Sequence, residues 1–307
     1  MDYESLKEDL RDVAFTNPTP FSEDGETVLH DELAANVEYV RDAGARLIVP
    51  CGNTGEYYSL SNDERVAVVE TTTEAFDGAG SVVGGVGGST KNAKMLADRY
   101  ADAGTDAIML MHPSHTYVHE DGILDYYRAL ADYTDLGVVL YKRGAELTHD
   151  HIRDLSEREN VVAVKYAVND IAAFSRGVGT TPGDIVWVNG IAERFAPSFH
   201  VEGAEGFTTG IGNFVPQTVL ALQEALEKGD LARAKEIRDV VRPYEDLRQE
   251  TGRNNRFDSA NNVPAVKHGL ELAGQYGGPV REPLVELSEA DRKRAEEYYE
   301  AITMAPL

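Results

Sequence analysis

Val138-Val139-Leu140-Tyr141-Lys142-Arg143, a helix-spaced segment from Thr148 to Arg158, and then Val161-Val162-Ala163-Val164-Lys165-Tyr166 form the stretch on which the architecture turns. Neither apolar run shows the polar alternation of a strand with one wet face, so each suits a strand covered on both sides. Two such strands joined through a helix read as a parallel βαβ unit. The same order recurs outward in both directions. Further runs are Val13-Ala14-Phe15, Leu47-Ile48-Val49, Val82-Val83-Gly84, Ala107-Ile108-Met109-Leu110, Ile185-Val186-Trp187-Val188 and Gly206-Phe207. Helical spacing lies between them at His30 to Ala43, Asn62 to Phe76, Asn92 to Ala103 and Gly122 to Tyr133. Asp63, Glu64 and Asp150 fall in first turns, while Gly44, Gly78 and Gly104 fall near helix ends, where a left-handed residue closes a helix.

Eight βα repeats predict an α/β fold, a closed (β/α)8 TIM barrel in preference to an open doubly wound sheet. After Pro216 the strand runs stop. Thr218 to Lys228, Leu231 to Arg248 with a kink expected at Pro243, Asn262 to Ala273 and Glu289 to Ile302 all read as helices. With no Ser/Gly-rich linker, the expectation is one domain: residues 1–215 as the barrel, and 216–307 as its last helix plus a C-terminal helical extension packed on it.

The chain has 307 residues and sets 53 acidic against 29 basic side chains, a net charge of −24. Such a surface repels polyanions, so nucleic acid is not an expected partner. No segment approaches the roughly 20 apolar residues of a membrane span, and Met1 to Asp12 lacks the apolar run of a secretory signal. A cytoplasmic location and a high-salt medium, which screens the self-repulsion, are the expectation. Cys51 is the only cysteine, which rules out an intrachain disulfide and a multi-thiolate zinc site.

In such a barrel, chemistry sits at the carboxyl ends of the strands. Four places there carry polar residues: Asn53-Thr54-Gly55-Glu56, Tyr141-Lys142-Arg143, Lys165-Tyr166, and Thr208-Thr209-Gly210. Lys165 ends an apolar run, so its amine points to the barrel's upper end. Burial lowers an amine's pKa and makes it a nucleophile toward a ketone; a lysine paired with a nearby acid is the other reading of this feature. Tyr141 ends the preceding strand at a comparable point and suits proton relay; an aromatic with a satisfied hydroxyl is its alternative. The Gly-bracketed turn at Asn53-Thr54 offers backbone N–H groups and a hydroxyl to a carboxylate, although such a turn forms without any ligand too. Cys51 has neither helix start nor basic partner and reads as a small buried side chain. His112, His115 and His119 are too loosely spaced for a zinc helix motif, so no metal is expected. His149 and His151 sit at a helix start and are expected to be solvated.

Together, Thr19-Pro20-Phe21, Gly52-Asn53-Thr54-Gly55-Glu56-Tyr57-Tyr58-Ser59-Leu60, Tyr141, Lys165, and Gly203-Ala204-Glu205-Gly206 leading to Thr208-Thr209-Gly210 resemble the dihydrodipicolinate synthase and N-acetylneuraminate lyase superfamily of class I aldolases. The resemblance spans nearly the whole chain. It implies that Lys165 forms a Schiff base, that Tyr141 transfers protons, and that Asn53 and Thr54 hold the substrate carboxylate. Arg143, Thr208 and Gly210 complete the expected substrate-binding set. It also implies a small 2-keto acid as substrate, a covalent imine in place of any cofactor, and a homotetramer in which His115 or Tyr117 approaches a neighbouring subunit's site.

Synthases of that superfamily carry an arginine five residues after the tyrosine, where this chain has Glu146. Tyr141-Lys142-Arg143-Gly144-Ala145-Glu146-Leu147-Thr148 instead resembles the Tyr-Asn-Arg stretch of 5-dehydro-4-deoxyglucarate dehydratases, with Lys142 for asparagine. Val263-Pro264-Ala265-Val266-Lys267 and Gly278-Pro279-Val280-Arg281-Glu282-Pro283-Leu284 resemble their tail. Tyr166-Ala167-Val168-Asn169-Asp170 departs from their glycine-rich stretch and leaves substrate length and any decarboxylation open. The expected activity is dehydration of a 2-keto-3-deoxypentonate to 2-oxoglutarate semialdehyde. An aldolase releasing pyruvate and a non-catalytic keto-acid-binding barrel stand as alternatives.

Overall fold

Valine, isoleucine and leucine crowd the apolar runs, and side chains buried on both faces of an extended backbone favour strands laid side by side under helices. The computed structural model describes residues 3–113, 115–144 and 146–306. Met1, Asp2, Ser114, Ala145 and Leu307 lie outside them, so that Ser114 between His112 and His115, and Ala145 in the stretch after Tyr141, are not among them. The described residues contain eight strands: β1 (Val13–Phe15), β2 (Leu47–Ile48), β3 (Ser81–Val86), β4 (Ala107–Leu110), β5 (Gly137–Lys142), β6 (Val161–Tyr166), β7 (Val186–Asn189) and β8 (Gly206–Thr209). All neighbours are parallel, and β8 pairs back onto β1 with Thr209 beside Phe15, so the sheet closes. The chain is a (β/α)8 barrel with C-terminal helices.

A helix follows each strand: α2 (His30–Asp42), α3 (Asn62–Phe76), α4 (Thr90–Asp102), α5 (Glu120–Ala131), α6 (His149–Leu155), α7 (Ile171–Thr180), α8 (Ala196–Val201) and α9 (Pro216–Glu227). Ahead of the barrel, α1 (Glu4–Leu10) closes its amino-terminal end. Leu6 packs on Gly137 so closely that a Cβ there would lie 2.4 Å from it, and Asp9 accepts from Ser81 at 2.7 Å. Beyond α9 come α10 (Leu231–Gln249), α11 (Asn262–Leu272) and α12 (Glu289–Met304). α10 is one continuous helix with Pro243 inside it. None of the described helices is long and apolar enough to cross a membrane.

One irregularity positions the site. Between β5 and β6 the pairing moves from Val138 beside Val161 to Val139 beside Ala163, an extra residue in β6. Laterally paired residues of parallel strands share a face, and a one-residue slip exchanges faces. The bulge therefore brings Tyr141 beside Lys165 instead of Val164.

Candidate active site

Alternation along β5 and β6 sends consecutive residues to opposite faces. Tyr141 and Lys165 line a cavity of about 460 Å³ at the carboxyl end of the barrel, together with Asn53, Thr54, Arg143, Thr208 and Gly210. All seven residues expected at the site thus meet in one place. Lys142 and Tyr166 take the outer face. Lys142 donates to the carbonyls of Gly144 and Leu147 at 3.0 and 2.6 Å, and Tyr166 packs edge-on against Phe174. Lys142 is thus a tether for the loop after β5 and not a wall of the cavity.

Lys165 is buried, and its Nζ lies 4.6 Å from the Tyr141 ring centroid. Burial, then the Arg143 guanidinium, lowers its pKa to about 7. No carboxylate among the described residues pairs with it, so the ion-pair reading of this lysine falls away. Gly190 makes room for its stem: a Cβ there would sit 3.0 Å from Lys165 Cγ. Tyr141 Oη accepts from Asn53 Nδ2 at 3.0 Å. Burial raises the phenol's pKa, while Arg143 and Asn53 oppose the rise. Thr16, on the loop after β1, hydrogen-bonds the Thr209 carbonyl at 2.6 Å and lies 3.2 Å from Thr54 Oγ1. Thr208 Oγ1 reaches the Asn189 carbonyl at 3.5 Å.

The turn bearing Asn53 and Thr54 is held by its own odd backbone. Cys51 and Glu56 both have left-handed φ, 56° and 55°. At Gly55 a Cβ would press to 3.0 Å on the Asn17 carbonyl. From its strained position the Glu56 carboxylate pairs with Lys267 of α11 at 2.6 Å and accepts from Arg281 N at 3.0 Å. Burial raises the Glu56 pKa and lowers that of Lys267, each against the pull of its partner. Phe21 stacks under both cations, 4.3 Å from Lys267 and 4.0 Å from Arg281. The sequence singled out Lys267 and Arg281 only as parts of a tail; their service to this turn depends on contacts across more than 200 positions.

The C-terminal helices also supply cavity walls that sequence reading missed. Glu245 and Arg248 of α10, with Asn262 of α11, line the site. A signal existed: Ile237, Val241, Tyr244 and Arg248 share one helical face, so a charged residue stands on the buried stripe. His115 and Tyr117 do not line the cavity. They are exposed on the loop after β4, Tyr117 strongly so, and Tyr117 N donates to His115 Nδ1 at 3.0 Å. Among the described residues no cluster of three His, Cys, Asp or Glu side chains could hold a metal ion. Cys51 is fully buried, and burial pushes its thiol up to about 12. His151, expected in solvent, is buried, and His149 stacks near Tyr166 with burial depressing its pKa.

A closed barrel with a desolvated, unpaired amine beside a tyrosine at its upper end has the makings of a Schiff-base lyase. The sequence model of the dihydrodipicolinate synthetase family matches residues 10–302, and the chain belongs to that family. Its enzymes work through a lysine Schiff base, without metal or prosthetic group. The 4-hydroxy-tetrahydrodipicolinate synthase of Methanothrix thermoacetophila is 32% identical over 282 residues, covering 90% of this chain and 91% of that one. A protein of Acinetobacter baumannii named "Probable 5-dehydro-4-deoxyglucarate dehydratase" is 27% identical over 297 residues, 95% of each chain. The crystal structure of dihydrodipicolinate synthase from Oceanobacillus iheyensis superposes with a TM-score of 0.93 at 34% identity, covering 99% of this chain and 100% of that one.

Proposed function

We propose that the chain dehydrates a 2-keto-3-deoxy sugar acid, a pentonate in the favoured case, to 2-oxoglutarate semialdehyde through an imine on Lys165. The observation that carries this reading is the amine itself: buried, without an acid partner among the described residues, near neutrality in pKa and beside Tyr141. In this reading Lys165 attacks the C2 ketone and the carbinolamine loses water. The resulting iminium acidifies a C3 proton, which Tyr141 relays. The enamine expels the C4 hydroxyl, which leaves as water with that proton. Loss of a C5 proton and return of one to C3 moves the alkene to C4–C5. The C5 enol becomes the aldehyde, and hydrolysis of the imine frees Lys165. The net change is one water lost.

Asn53 and Thr54 hold the C1 carboxylate in this scheme, with Arg143, Thr208 and Gly210 completing the pocket. Glu146 favours dehydration over condensation, because a carboxylate stands where the synthases resembled above use an arginine for a second carboxylate. A homotetramer, with exposed Tyr117 and His115 offered to a neighbouring subunit, completes the proposal.

Borohydride reduction with pyruvate or 2-keto-3-deoxyxylonate is expected to leave one adduct mass on Lys165 and none on Lys165→Ala. No adduct with any 2-keto acid would overturn the imine. Turnover of the pentonate should yield 2-oxoglutarate semialdehyde; pyruvate plus glycolaldehyde as sole products would replace dehydration by aldol cleavage.

A further inference from the structure

Where α10 crosses the carboxyl end of the barrel, two ionic side chains one helical turn apart form part of the cavity wall. Glu245 is fully buried and Arg248 is 4% exposed. Arg248 Nη1 hydrogen-bonds Glu245 Oε1, and Nη2 donates to Asn262 Oδ1 at 3.0 Å. Glu245 Oε2 and Arg248 Nε have no hydrogen-bond partner among the described residues. Burying an acceptor and a donor unsatisfied is costly, and a ligand able to satisfy both would remove that cost. The fold also sacrifices side-chain volume to seat the pair: a Cβ on Gly210 would come within 2.4 Å of the Arg248 guanidinium.

The Arg248 cation is already engaged by Glu245. Behind them lies Glu193, fully buried, whose pKa is pushed up to about 8 by burial and next by the charge of Glu245. Asp258 adds a further carboxyl group to the cavity lining; of the cations there, Arg194 is occupied by Asp246 at 2.7 Å, and Arg143 stands beside Lys165 where the keto-acid end is placed. A carboxylate brought to this wall would meet the Glu245 carboxylate beside a guanidinium that Glu245 already engages. A hydroxyl, which both donates and accepts, matches the unpartnered carboxylate oxygen and guanidinium N–H.

We propose that Glu245 and Arg248 form the subsite for the distal end of the substrate, so that the acid turned over ends in a neutral hydroxylated carbon and not in a second carboxylate. This rests on the lyase reading above and makes Glu245 a specificity-determining residue.

The wild-type enzyme should favour 2-keto-3-deoxyxylonate over 5-dehydro-4-deoxyglucarate in kcat/KM by about tenfold or more, since like charges placed together at a binding surface discriminate strongly. Glu245→Gln, isosteric and checked for folding by its melting transition, should raise KM for the pentonate with kcat little changed. It should also narrow the preference against the dicarboxylate by about tenfold. A wild-type preference for the dicarboxylate would overturn the inference without any variant being needed, and so would a folded Glu245→Gln with both specificity constants unchanged. Borohydride trapping with pyruvate runs beside these assays. Trapping without discrimination sinks this subsite alone, and absence of trapping sinks the imine reading beneath it.

Discussion

At Lys165 stability is set against reactivity. An ammonium in this cavity has lost its water and gained no counter-ion among the described residues, so the protonated form is disfavoured and the pKa falls to about 7. Nucleophilic attack needs the free base. The rate of imine formation is therefore expected to rise with pH through about 7 and level above it. Arg143 contributes to the depression by placing a second cation near the amine. Removing that charge favours protonation, so Arg143→Gln should move the rising limb to higher pH and leave less free amine at pH 7. The midpoint of borohydride trapping against pH, between about 5.5 and 9, reads this apart from any loss of substrate affinity. A midpoint unmoved in Arg143→Gln would mean that burial alone sets the amine.

Among the elements, α11 and the turn after β2 depend on one another through Lys267 and Glu56. Both groups are buried, and their mutual attraction offsets a large loss of hydration only while both are present. Lys267→Met leaves the Glu56 carboxylate with the Arg281 backbone N–H as its remaining recorded donor, and should cost about 3–5 kcal/mol. The double variant Lys267→Met with Glu56→Gln should recover a good part of that, seen as a return of the urea midpoint. Equal losses in the single and double variants would show that the two residues act separately. Periodicity alone located β1 to β8 and the helices from α2 to α6, because their apolar residues repeat at the spacing of the structure they adopt. It passed over α1, α7 and α8. The last has six residues, too few to display a helical period, α1 is a short stretch of mixed acidic and basic side chains, and α7 carries Gly177 and Gly179. Gly177 is there for packing, since a Cβ would lie 2.8 Å from the Trp187 ring. Lys165 and Tyr141 were legible because strand ends are local features. The bulge that pairs them was not, nor was the Glu245 and Arg248 wall, since both follow from how distant segments register against each other.

For the whole molecule the governing quantity is charge. With 53 acidic and 29 basic side chains, one-to-one pairing leaves at least 24 acids without a base. The ion pairs recorded are mostly at the surface, such as Arg158 with Asp132 at 2.6 Å, where each contributes little. The uncompensated acids repel one another in the folded state more than in the expanded chain, so the native state carries a penalty that ionic strength relieves. Closure of the barrel leaves no sheet edge to associate as repulsion is screened. Raising KCl from about 0.1 to 2 M, over which the screening length falls from roughly 10 Å to below 3 Å, should therefore raise Tm without aggregation. The same field opposes the approach of an anionic keto acid, so kcat/KM should climb over the same range. A Tm that is flat or falls with KCl, in thermal melts monitored by circular dichroism, would show that the acidic surface costs the fold nothing. The excess charge would then act on solubility alone.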